Sequence, residues 1–185
     1  MRRSISCLLA SILFLTTSFA QAENPRVRME TNLGNIEIEL FEKLAPKTVA
    51  NFLDLVENDF YNDLIFHRVI ANFMIQGGGY TETMKYRDAP RTVPNESFNG
   101  VKNTRGTIAM ARTNDPDSAD SQFFINVRDN PRLDATLGNP GYAVFGKVSA
   151  GMEVVEQIEL VNTHLFQGHS AVPQNAVIIK QVERL

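Results

Sequence analysis

Short apolar runs, each closed by turn residues, recur along almost the whole chain, and few architectures accept that pattern. Arg26–Thr31 (RVRMET) puts Val27 and Met29 on one face, and residues 36–40 (IEIEL) alternate apolar with acidic side chains. Alternation with period 2 marks strands that have one buried and one wet face. Asn32-Leu33-Gly34-Asn35 supplies turn chemistry between them, so the pair predicts an antiparallel hairpin. Further strands are expected over Leu64–Ile70, 73–76, 106–111, 122–127, 143–148 and 177–182. Two stretches have helical spacing instead. Residues 46–57 carry Val49, Phe52, Leu53 and Val56 on one face, with Pro46 where a first helical turn tolerates it, and residues 151–160 predict a shorter helix. Many short strands with two helices predict a mainly β fold, a closed or nearly closed barrel with helices over its ends. From Gly77 to Arg105 the pattern is lost. Gly77, Gly78, Gly79, Pro90, Pro94 and Asn99-Gly100 predict a long loop, of a length that is usually functional in a compact domain.

Residues 1–22 differ from the rest. Arg2 and Arg3 precede a run from Cys7 to Phe19 that is apolar with scattered Ser and Thr, and Ala20-Gln21-Ala22 has the small-x-small form of a cleavage site. This is the anatomy of a secretory signal peptide, too short to span a membrane comfortably. Its removal would leave one domain over residues 23–185, long enough for a sizeable core. The leader holds two of the 18 basic residues and none of the 21 acids, so the remainder has net charge 16 − 21 = −5. That balance argues against a nucleic-acid partner. The only cysteine, Cys7, lies in the leader, which excludes disulfides, thiol catalysis and cysteine metal sites from the remainder.

Familiar reactive constellations are missing. No G-x-S-x-G elbow occurs, and His67, His164 and His169 are the only histidines. His67 falls among apolar strand residues and reads as a core histidine. His164 and His169, five apart, do not share a helix face and have no acidic ligand close in sequence, so no metal site is expected. The acidic loop at 115–120 lacks the turn glycine and closing glutamate of a calcium loop. The glycines at 77–79 are followed by neither Lys-Ser nor a helix start, so they make no phosphate cradle. What stands out is residues 66–79 (FHRVIANFMIQGGG), with the single cation Arg68 and Gln76 among apolar neighbours. Strand parity places Arg68 on one face with Phe66 and Ile70. Two readings remain open from the residues alone: a buried ion pair with a distant carboxylate, or a binding groove with one strong donor.

FHRVI, FMIQGG, GTIAMAR, SQFFI and VFGKV, in this order from Phe66 to Val148, resemble the blocks of the cyclophilins, most closely the periplasmic cyclophilins of Gram-negative bacteria. The resemblance covers essentially all of residues 23–185. It implies a closed eight-stranded antiparallel barrel capped by two helices, with its site in a groove on the outer face. It also implies peptidyl-prolyl cis-trans isomerase activity, no cofactor and no metal. By position, Arg68 matches the family's catalytic arginine. Phe73, Met74, Phe124 and Leu133 match the walls of the proline pocket, and Gln76, Ala111 and Gln122 match the residues that hold the peptide backbone. Tyr142 stands where the family often has a histidine at the pocket floor. Arg132 stands where it often has a tryptophan, which implies weak cyclosporin binding. Arg112 and the loop to Ser121 also depart from the common eukaryotic form. The implied partners are proline-containing peptides and unfolded or partly folded exported proteins, met by a monomer in the periplasm after Sec export and release from the membrane. A proline-binding chaperone or adaptor with little catalysis is the competing expectation.

Overall fold

The computed structural model describes residues 23–185; the expected leader at 1–22 lies outside the described residues. The strands are β1 (Arg26–Thr31), β2 (Gly34–Leu40), β3 (Leu64–Ile70), β4 (Met74–Thr81), β5 (Thr107–Met110), β6 (Phe123–Asn126), β7 (Val144–Ala150), β8 (Thr163–Phe166), β9 (His169–Pro173) and β10 (Ile178–Arg184). Helix α1 spans Pro46–Glu57 and α2 spans Met152–Glu159. Eight strands close into a barrel in the order β1-β10-β3-β4-β6-β5-β7-β2, and all the pairings are antiparallel. β8 and β9 form a separate two-stranded sheet.

The interior is solid. Phe66, Phe123 and Phe145 from the strands meet Phe52 of α1, each fully buried, and Tyr61 hydrogen-bonds the carbonyl of Ser121 at 3.0 Å. Phe52 contacts Phe123 at 6.0 Å and Phe145 at 5.2 Å between ring centroids. Such packing leaves no hollow for a carried ligand, so the barrel is a scaffold and its outer surface must hold the site. Helix α1 begins at Pro46 with no capping side chain of its own. Glu96, far along the chain, accepts from the Lys47 and Thr48 amides at 3.2 and 2.8 Å, doing the work of an N-cap and placing negative charge at the positive helix end.

Three expectations need correction. β4 does not stop at Gln76 but runs through all three glycines to Thr81. Side chains of the next strand lie over this stretch: a Cβ on Gly78 would come within 2.9 Å of the Phe123 ring, and one on Gly79 within 2.6 Å of Gln122 Cγ. The glycines therefore permit close approach within a strand, and do not break it. The β8–β9 hairpin was not anticipated. β8 is exposed at every position and so has no alternation, while Val172 of β9 is buried against Ile65 and Met84 outside the barrel. Parity along β3 also fails. The β3–β4 register shifts between Leu64 and Phe66 and again between Phe66 and Arg68. Leu64, Phe66 and Val69 join the interior cluster, whereas Ile70 packs with the outer one. Arg68 is thus on the groove side, not on the face of Phe66.

Candidate active site

Arg68 and Gln76 are opposite one another on β3 and β4, and Gln76 is opposite Phe124 on β6. Three adjacent strands therefore present one outer patch. Arg68 Nη1 donates to Gln76 Oε1 at 3.2 Å and approaches Met74 Sδ at 3.7 Å. Gln76 Nε2 donates to Gln122 Oε1 at 3.2 Å. The relay fixes the guanidinium without neutralising it. No carboxylate pairs with Arg68 among the described residues, which removes the ion-pair reading. Burial pushes its pKa down and the neighbouring Tyr142 pushes it up. An arginine does not lose its proton in a protein, so a half-buried cation faces the groove.

Beside it lies a pocket of about 230 Å³ lined by Arg68, Phe73, Met74, Gln76, Ala111, Arg112, Phe124, Leu133 and Tyr142. Met74 and Phe124 are buried in an outer apolar cluster with Ala109 and Val144, against which Phe73, Ala111, Leu133 and Tyr142 pack. The far wall comes from the 129–142 loop. A 3-10 turn over Pro131–Leu133 carries Leu133, whose carbonyl accepts from the Tyr142 amide at 2.9 Å. Asn130 ties this loop to the barrel, donating to the Phe73 carbonyl at 2.8 Å and to Asn126 at 2.7 Å. Tyr142 meets Phe124 edge-on at 5.6 Å. A larger hollow of about 580 Å³ borders Glu23, Asn24, Arg26, Glu39, Phe41, Lys43 and Leu44; Arg26 there is paired with Glu37, and Phe41 is its only aromatic wall.

Of the sequence-derived site residues, Arg68, Phe73, Met74, Gln76, Ala111, Phe124, Leu133 and Tyr142 line this one pocket. Gln122 is set one step back, reaching it through Gln76 and lining the adjoining hollow instead. Arg132 is exposed and does not line the pocket; it borders a neighbouring hollow that shares Phe73 and Leu133 with it.

The model of the family described as cyclophilin type peptidyl-prolyl cis-trans isomerase/CLD matches residues 26–184. A curated peptidyl-prolyl cis-trans isomerase of Acinetobacter baylyi is 50% identical over 183 residues, covering 99% of this chain and 96% of its own. Peptidyl-prolyl cis-trans isomerase A of Dickeya dadantii is 45% identical over 186 residues, 99% of this chain and 98% of its own. The chain belongs to the cyclophilin-type peptidyl-prolyl cis-trans isomerases. It is an enzyme of that activity, not a bare proline-binding adaptor. The fold agrees: a crystal structure of a Cryptosporidium parvum cyclophilin superposes with a TM-score of 0.73 at 30% identity, covering 88% of this chain and 98% of that one.

Sequence reasoning missed Arg112 as a pocket residue. Its guanidinium lies 4.6 Å from the Tyr142 ring centroid and donates to the carbonyls of Pro140 and Gly141 at 2.8 and 3.2 Å. It stakes the loop that carries Tyr142. The available signal was a second cation immediately after Ala111, at the end of a strand already assigned to the site.

Proposed function

We propose that this cyclophilin isomerises Xaa-Pro bonds in exported proteins, with Arg68 as the catalytic group and the pocket beside it as the proline seat. The observation that carries the assignment is a fixed guanidinium, free of any carboxylate among the described residues, at the rim of an apolar pocket.

Rotation about an Xaa-Pro bond faces a barrier of roughly 18–20 kcal/mol because amide resonance stiffens the C–N bond. Uncatalysed exchange takes tens to hundreds of seconds. No bond breaks, so neither nucleophile nor metal is called for. As the bond twists, the prolyl nitrogen becomes pyramidal and its lone pair leaves resonance. A donor aimed at that nitrogen or at the prolyl carbonyl gains in the twisted state over the planar one, which is differential binding. Phe73, Met74, Phe124 and Leu133 hold the ring and exclude water, while Tyr142 forms the floor. Gln76 orients Arg68, and with Ala111 and Gln122 it contacts the backbone on either side. Each tenfold acceleration needs about 1.4 kcal/mol off the barrier, which one charge-assisted hydrogen bond in a desolvated site can supply.

The exported-protein role rests on the leader anatomy of residues 1–22, which makes the periplasm the site of action, Glu23 the first residue of the released chain, and partly folded proteins the substrates. Weak cyclosporin binding is part of the same reading, because Arg132 adds no aromatic wall. Two measurements test these assignments. Exchange NMR on a short Xaa-Pro peptide should show turnover by the wild type and a large loss in a folded Arg68→Ala variant; full retained activity would remove Arg68 from the mechanism. N-terminal sequencing of the chain from fractionated cells should begin at Glu23, and an intact leader on cytoplasmic protein would refute export.

A further inference from the structure

On the other side of Arg68 from the proline pocket lies a second hollow of about 320 Å³, bordered by His67, Arg68, Gln76, Gln122, His169 and Ser170. Arg68 and Gln76 border both hollows, so a peptide lying along the groove reaches one from the other. The two differ in chemistry. The first is walled by aromatic and aliphatic side chains. The second is polar, and no carboxylate lines it.

Its outer wall is the β8–β9 hairpin, whose turn contributes Gly168 and whose strand β9 contributes His169 and Ser170. The hairpin is pinned to the barrel by a ladder of rings: Tyr80 lies 4.7 Å from His67 and 5.1 Å from His169. His67 is only 4% exposed, yet its Nδ1 has no hydrogen-bond partner. Burial, followed by the nearby His169, lowers the pKa of His67 to about 4, so its imidazole is neutral and Arg68 is the fixed cation of this hollow. Only the Nη1 of Arg68 is engaged among the described residues, towards Gln76 and Met74, which leaves guanidinium donors for a second ligand group.

We infer that this hollow is a second substrate subsite, taking the side chain of a residue that flanks the isomerised proline and preferring one with an accepting oxygen, a carboxylate above all. The inference rests on the placement of the proline in the neighbouring pocket. A glutamate side chain there accepts charge-assisted hydrogen bonds from Arg68, with the Gln122 amide and the Ser170 hydroxyl as further partners. A lysine meets Arg68 with no carboxylate to receive it. The preference opposes the overall charge, since residues 23–185 carry an excess of acids that draws cationic peptides in general. Discrimination in favour of glutamate would therefore have to be local.

The test is kcat/KM from exchange NMR on Ala-Xaa-Pro-Yaa peptides, with Xaa and then Yaa set to Ala, Gln, Glu or Lys. At one of the two flanks Glu should exceed Lys by about tenfold, a difference of about 1.4 kcal/mol, with Gln between them. Ser170→Asp places a carboxylate in the hollow and should bring the Glu-to-Lys ratio to one or below. His169→Glu is the second variant should Ser170→Asp not fold, with thermal unfolding checked for both. Equal rates for Glu and Lys at both flanks, or a ratio that neither folded variant changes, overturns the subsite. The alanine peptide reports separately on the isomerase site. Normal turnover of it by the wild type, sensitive to Arg68→Ala, alongside equal Glu and Lys rates, rejects the subsite alone.

Discussion

Along β3 and β4 the residues Phe66, Val69 and Ile75 belong to the barrel interior, while Arg68, Met74 and Gln76 face the groove on its outer side. The two faces share a backbone and differ in what completes them. The interior is completed by the chain itself, through Phe52 from α1, Phe123 from the neighbouring β6 and Phe145 from β7. The outer face is left half-covered: Phe73, Leu133 and Tyr142 pack on its small apolar cluster without closing it, and Arg68 is left without an anion. The lesson is that stability and activity are carried by opposite faces of the same strands. Substitutions should separate them.

The largest effect is expected inside. Phe145→Ala empties a fully buried position in the interior cluster that does not line the pocket, and should cost about 3–5 kcal/mol of unfolding free energy in denaturant titration. The folded fraction should keep near-normal kcat/KM; a parallel loss of activity would show that the faces are coupled. Next is His67, which lies on the groove side but is buried. Its pKa is about 4 in the fold against an ordinary 6.5, lowered mainly by burial. Below pH 6.5 the unfolded chain takes up the proton and the folded chain does not, so stability falls as pH drops from about 6.5 to about 4 and levels off below. The loss from this group should total about 3 kcal/mol, and the difference between wild type and His67→Gln should show it. Identical pH profiles would remove His67 as the cause.

Arg68→Ala tests the outer face. Removing one preorganised donor typically costs about 10²-fold or more in rate, about 2.7 kcal/mol, and the midpoint of thermal unfolding should stay close to wild type. Because Arg68 does not titrate and no histidine transfers a proton, wild-type turnover should be nearly flat from roughly pH 6 to 9; a bell-shaped profile would break the mechanism. Gly79→Ala should act at the border of the two faces. The new methyl displaces Gln122, 2.6 Å from its Cγ, and a cost of about 1–3 kcal/mol in stability should come with weaker peptide binding read as raised KM. Smallest is Arg112→Ala. Losing the support of Tyr142 should lower kcat/KM about threefold, in line with an exposed cation–π contact of about 0.5–1 kcal/mol.

Much of this was legible in the sequence because it is local. Alternation over residues 36–40 reflects a strand with Ile36, Ile38 and Leu40 buried, and the spacing of Val49, Phe52, Leu53 and Val56 reflects the buried face of α1. The site residues were reached by resemblance, since no reactive group announces a reaction that breaks no bond. The β8–β9 hairpin escaped because β8 is wet on both sides and leaves no periodic trace. The glycines at 77–79 misled because a residue without a side chain looks alike in a loop and under a neighbouring ring.

The sequence by itself determined a mainly β chain with two amphipathic helices, and, through its five motifs, the isomerase family and the residues to examine. Burial periodicity is written in each segment, which is why those conclusions needed no partner strand. Only the tertiary structure decided which side of the wall Arg68 faces. That depends on two register shifts against β4, and register is set by pairing between strands, not within one. Arg112 beneath Tyr142, and the polar hollow that β9 and its turn close over His67, were decided the same way, by residues that meet only when the chain has closed on itself.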